Sequence, residues 1–116
     1  MNALEFKLLL AKSEFTPKEI LEVLAKDKNY YVRKYVAKNL NISEKIFEIL
    51  TKDKNWDIRV SIAENSKTPK EILKILAKDN HPYVCMSVSE NPNTSKEIIE
   101  LPSKDSYKRF IYKRFL

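Results

Sequence analysis

The sequence predicts an all-α chain, a right-handed α-solenoid of short two-helix repeats. Two observations predict it: a 26-residue period and apolar residues at helical spacing in two stripes per period. A period of this length marks stacked units, each too small to bury its own apolar face. Without glycine the chain lacks the usual residue for turns with positive φ and for Gly-rich phosphate cradles, so nucleotide-cradling loops are excluded.

The units align on Thr16, Ile42, Thr68 and Thr94. They divide a single repeat domain, residues 1–116, into a half repeat at 4–15, repeats at 16–41, 42–67 and 68–93, and an atypical C-terminal repeat at 94–116. In the half repeat, Phe6, Leu10 and Ala11 take the columns of Val32, Val36 and Ala37.

The first helix of each unit, helix A, opens on a capping-box pattern. Thr16, Thr68 and Thr94 stand three residues before Glu19, Glu71 and Glu97, so the threonine hydroxyls are expected to cap the helix. Pro17 and Pro69 then fall at the first helical position, where a missing amide hydrogen costs nothing. Ile20, Leu21, Val23 and Leu24, with Ile46, Phe47, Ile49 and Leu50 and with Ile72, Leu73, Ile75 and Leu76, predict one broad buried stripe. Helix B starts after Asn29, Asn55 and His81, with Pro82 suited to the first position. Val32 and Val36, Ile58 and Ile62, and Val84 and Val88 supply its i, i+4 core face. Ala37, Ala63 and Ser89 are small residues for close helix approach. Asn39, Asn65 and Asn91 follow helix B, where a left-handed backbone that Asn tolerates is expected.

Of the 116 residues, 43% are apolar and 33% charged, the balance of a folded, soluble chain. No run approaches the ~18 uncharged apolar residues that span a bilayer, and Glu5 and Lys7 interrupt the apolar N-terminal stretch, which lacks a cleavage site. One cysteine, Cys85, cannot form an internal disulfide, which favours a reducing cytoplasm. The net charge of +6 is unevenly placed: residues 16–41 and 94–116 each carry six Lys or Arg against three acidic residues, and the rest of the chain is balanced.

Asp27, Asp53, Asp79 and Asp105 end helix A, where the macrodipole disfavours them. A structural role in an Asx-turn into helix B accounts for them better than catalysis, which needs a perturbing pocket. His81 and Cys85 share a helix face, the geometry of half a metal site or of a nucleophile and base. No further His or Cys completes either, so no catalytic set, metal site or cofactor is expected. Tyr30, Tyr31, Tyr35, Trp56 and Tyr83 cluster on the helix B columns beside Lys34, Arg33 and Arg59, either as anchors for a partner or as caps on the core ends. In the last segment Lys108, Arg109, Lys113 and Arg114 interleave with aromatics, a pattern for nucleic acid or an anionic surface, or the polar face of a terminal helix.

Two resemblances follow from these residues. Asp27 and Arg33, and Asp53 and Arg59, with Val32 or Ile58 just before the Arg, resemble HEAT-type repeats, and that resemblance implies a ladder of Asp and Arg between units. The short period, the Leu-Ala-Lys-Asp end of helix A and the run Glu90-Asn91-Pro92-Asn93-Thr94 look still more like the bacterial variant leucine-rich repeat. The pattern departs from both where Cys85 and Ile111 replace the Arg and Pro102 enters helix A, so the ladder is expected to lapse after two rungs. The iron–sulfur region attached to some variant repeats is not carried over, because a cluster needs several Cys ligands. HEAT-like DNA glycosylases invite a comparison through Trp56, Asp57 and Arg59, by fold analogy.

The expected function is therefore a non-enzymatic scaffold that binds another protein through the helix B surface. The alternative is nucleic-acid binding through the basic ends, carried by Lys34, Lys38, Lys108, Arg109, Lys113 and Arg114. Neutral middle units argue against it, since a DNA-binding solenoid would carry Lys and Arg along its whole track.

Overall fold

Four to ten residues per helix, with a polar cap at most starts, is what the short period permits. The computed structural model describes residues 1–99, and these are all helical with no strand among them: α1 (Ala3–Lys12), α2 (Lys18–Leu24), α3 (Tyr30–Lys38), α4 (Glu44–Thr51), α5 (Trp56–Glu64), α6 (Lys70–Leu76), α7 (Pro82–Glu90) and α8 (Lys96–Ile99). Pro102, Asp105, Lys108, Arg109, Ile111, Lys113 and Arg114 lie outside the described residues.

Helices this short are unstable alone and need tertiary burial. The B-type helices supply it by packing in sequence, α1 on α3, α3 on α5 and α5 on α7, while α2 packs on α4 and α4 on α6. The core lies between the two rows. Val32, Val36, Ile58, Ile62, Val84 and Val88 meet Leu21, Leu24, Ile46, Leu50, Leu73 and Leu76, all buried. Ala11, Ala37 and Ala63, completely buried, sit where the B-type helices approach. Cutting Ile62 or Leu50 back to Ala would cost roughly 2–5 kcal/mol.

The apolar stripe of the A-type helices is narrower than the sequence predicts. Val23 is 72% exposed and Ile75 58%, and Ile20 is also exposed. A seven-residue helix such as α2 or α6 turns barely two circuits, so one arc reaches the core and the Val23 column lies beyond it.

Helix starts divide by type. Asn29 caps α3 by accepting from the amides of Tyr31 and Val32, and His81 caps α7 by accepting from Tyr83, with Pro82 at the first position. The threonines depart from the capping-box expectation. Pro17 and Pro69, rather than Thr16 and Thr68, are the N-cap residues of α2 and α6, and neither start has a side-chain cap. The hydroxyls of Thr16, Thr68 and Thr94 instead donate backwards, to the carbonyls of Leu10, Ile62 and Val88 at 2.6, 2.5 and 2.6 Å. Each adds a donor to a last-turn carbonyl of the preceding helix, where Ile62 and Val88 already accept from the amides of Asn65 and Asn91.

The asparagines also differ from expectation. Asn39, Asn65 and Asn91 are extended, with φ of −71°, −67° and −72°, and no described residue has positive φ. Asn is used here for its side chain. The Asn65 Nδ2 donates to the carbonyls of Ala37 and Asn39, at 2.9 and 3.0 Å. Asn91 does the same to Ala63 and Asn65, and Asn39 to Ala11 and Ser13. Each side-chain oxygen then accepts from the amide two residues on, at Asn41, Lys67 and Asn93. One buried amide thus closes its own turn and ties it to the turn 26 residues earlier.

Candidate interaction surface

The opposite edge, where each A-type helix turns into a B-type helix, is built on Asp27, Asp53 and Asp79. Their Oδ1 atoms accept from the amides of Asn29, Asn55 and His81 at 2.9, 3.0 and 2.9 Å, which is the Asx-turn into the next helix. Each Oδ2 faces a cation 20 residues earlier. Arg33 Nε lies 2.9 Å from Asp53 and Arg59 Nε 2.8 Å from Asp79, with Arg59 Nη2 reaching the second oxygen at 3.3 Å. The same guanidiniums donate backwards, Arg33 to the carbonyls of Asp27 and Lys28 and Arg59 to that of Asp53. Asp27 and Arg33, or Asp53 and Arg59, are therefore joined through a backbone carbonyl, and the ion pairs run from Arg33 to Asp53 and from Arg59 to Asp79.

A third pair precedes these. Lys7, in the Arg33 column of the half repeat, holds Asp27 at 2.8 Å, so the described residues contain three rungs rather than two. The hydrogen bond from Lys7 and then that from the Asn29 amide hold the Asp27 carboxyl below its ordinary range, with burial opposing them. Cys85 stands in the Arg column of α7, buried, with its Sγ 3.1 Å from the Asp79 carbonyl. It replaces the backward bond of the arginine with a weaker thiol donor. His81 is engaged as a cap, its Nδ1 accepting from the Tyr83 amide, and as a ring stacked on Trp56.

The predicted aromatics fall into two groups. Trp56, at the start of α5, stacks on His81 with ring centres 4.1 Å apart and planes 8° from parallel, and Tyr83 tilts against both at 5.6 and 5.7 Å. This cluster bridges α5 and α7, with Trp56 41% and Tyr83 54% exposed. Tyr30 and Tyr31 meet edge to face at 5.1 Å on α3, Tyr30 half-buried and Tyr31 exposed. Tyr35 is half-buried beneath Lys12, whose Nζ lies 4.3 Å from the ring centre.

Of the basic candidates, Lys34 is engaged, 3.6 Å from Asp57 and 5.6 Å from the Tyr30 ring centre, and Lys38 is exposed. Sequence reasoning missed His81 as a ring of the aromatic cluster and Lys12 as the cation over Tyr35. The signal for the first was available, since His81 stands one unit after Asn55, the neighbour of Trp56. Among the described residues no group of three or more His, Cys, Asp or Glu is arranged to hold a metal ion. No helix there is long and apolar enough to cross a membrane. A shallow groove along the A-to-B edge is lined by Lys26, Asp27, Lys28, Arg33, Asp53 and Lys54. No family model, no curated protein and no solved structure matches this chain.

Proposed function

We propose that the chain is a right-handed α-solenoid with a 26-residue period, of the variant leucine-rich or HEAT-like kind, and that it serves as a non-enzymatic cytoplasmic scaffold for another protein. The repeat reading is supported by hydrogen bonds and ion pairs that recur between equivalent residues of successive units. One observation carries the functional reading. Trp56, His81 and Tyr83 form a partly exposed ring cluster across two neighbouring helices, outside the apolar core. Large, rigid aromatic surface held in place before binding is the commonest anchor of protein interfaces, because little side-chain entropy remains to be lost.

The test is affinity capture from native lysate treated with nuclease, using the wild-type chain beside a Trp56→Ala, Tyr83→Ala variant with unchanged circular dichroism. A protein retained by the first and lost by the second is the expected outcome. Retention that disappears on nuclease treatment would transfer the function to nucleic acid.

A further inference from the structure

The A-to-B edge carries a second regularity beside its rings. Lys26, Lys52 and Lys78 precede Asp27, Asp53 and Asp79, and Lys28 and Lys54 follow the first two. All five lysines are exposed. The carboxylates between them are directed inward: Asp53 and Asp79 onto Arg33 and Arg59, and Asp27 onto Lys7, with Asp side chains only 7–14% exposed. None of the ion pairs closer than 4 Å among the described residues uses Lys26, Lys28, Lys52 or Lys54. Glu22, one turn before Lys26, instead accepts from the Ser43 hydroxyl. Alternation of Lys and Asp along the sequence thus becomes segregation in space, with acid inside and base outside.

Three further features lie on this edge. The N-termini of α3, α5 and α7 open onto it and add partial positive charge. Lys26, Lys28 and Lys54 line one shallow groove. Lys54, which lines that groove, is two residues before Trp56 in sequence, at the turn from which α5 starts.

We propose that this edge docks an acidic linear segment of the partner, a stretch rich in Asp and Glu with an aromatic or aliphatic anchor. The lysines take the carboxylates and the Trp56, His81 and Tyr83 rings take the anchor. The inference rests on the protein-partner reading above. Single-stranded nucleic acid would also bring negative charge, but it needs ring faces open for bases. Here His81 covers one face of Trp56 and Tyr83 leans on both, which makes a knob rather than a row of platforms.

Trp56 is the only tryptophan, so its emission reports on this edge. The probes are a labelled peptide of four Glu-Glu-Phe triplets, its Gln-Gln-Phe counterpart, and an oligothymidylate of similar length, followed by anisotropy and Trp56 emission. The acidic peptide is expected to bind at least about tenfold more tightly than the Gln peptide, and to lose about tenfold when Lys26, Lys28, Lys52 and Lys54 are changed to Gln. A control changing Lys18, Lys38, Lys67 and Lys70, on the opposite edge, to Gln should keep that affinity. Paired charge reversal, Lys28→Glu with Lys54→Glu, gives an independent reading should the fourfold variant lose its helicity. Equal binding of both peptides, or equal loss in the control, overturns the acidic-segment assignment and leaves the protein-partner reading standing. Tighter binding of the oligothymidylate overturns both, and no binding of the acidic peptide overturns this inference.

Discussion

The two edges of the molecule solve one problem, joining its turns to one another, with opposite chemistry. On the B-to-A edge the linking residue is the same each time: Asn39, Asn65 and Asn91, buried and neutral. On the A-to-B edge the acceptor is constant, Asp27, Asp53 and Asp79, while its partner varies as Lys7, Arg33 and Arg59. An amide side chain carries donor and acceptor together, so identical residues can follow one another without limit. A carboxylate needs a different residue opposite and keeps some contact with water. The neutral edge repeats one residue as its fastening, and the charged edge varies the cation opposite a constant carboxylate.

This contrast is broken most directly at Asn65. Asn65→Ala would leave the carbonyls of Ala37 and Asn39 and the amide of Lys67 without their partner, an expected loss of about 2–4 kcal/mol in urea unfolding. A loss no larger than that of an exposed substitution would show that water replaces the amide and that the neutral edge is not the fastening.

Arg59→Ala comes next, at about 1–3 kcal/mol, since it strands Asp79 and the Asp53 carbonyl at a site that is only partly covered. Salt sharpens the comparison. Raising ionic strength to ~1 M should shrink the difference between wild type and Arg59→Ala, because screening weakens the pair already present, and leave the Asn65→Ala difference in place. A difference for Arg59→Ala that is independent of salt would mean that the guanidinium acts through its carbonyl bonds alone.

The smallest effect belongs to Lys7, whose side chain is 45% exposed: Lys7→Ala should cost no more than about 1 kcal/mol. It has a sign with pH. The Asp27 carboxyl is held below its ordinary value, so its contribution is complete above the unfolded value near 3.8 and is lost as pH falls through the lowered folded value. Wild type and Lys7→Ala should therefore converge in thermal midpoint as pH drops below about 4 and remain apart at neutral pH. A gap that widens in acid would contradict the pairing.

Much of the architecture is written in residues that lie near one another in sequence. Helical character follows from the i, i+4 apolar pairs, and the starts of α3 and α7 follow from Asn29, His81 and Pro82, because a cap is a contact across two or three residues. The direction of a buried polar side chain is not written so locally. Thr16 and Glu19 have capping-box spacing, yet the hydroxyl finds a carbonyl six residues back, because that carbonyl is left over from the previous helix. Asn39 looks like a left-handed terminus, yet its amide reaches residues 28 and 26 positions earlier. The asparagine partners become neighbours only once the helices pack. For the same reason the inward turn of the Asp carboxylates, which leaves the lysine edge positive, is hidden in a sequence where the two charges alternate.

The asparagine links also set how the chain would yield to force. Each ties its own turn to one 26 residues earlier by two short bonds in parallel, and both must break before the intervening chain can extend. Rupture of one link frees the 26 residues between equivalent positions, about 90 Å of contour at full extension. Under tension the described residues would release such a length at each of the Asn91, Asn65 and Asn39 fastenings.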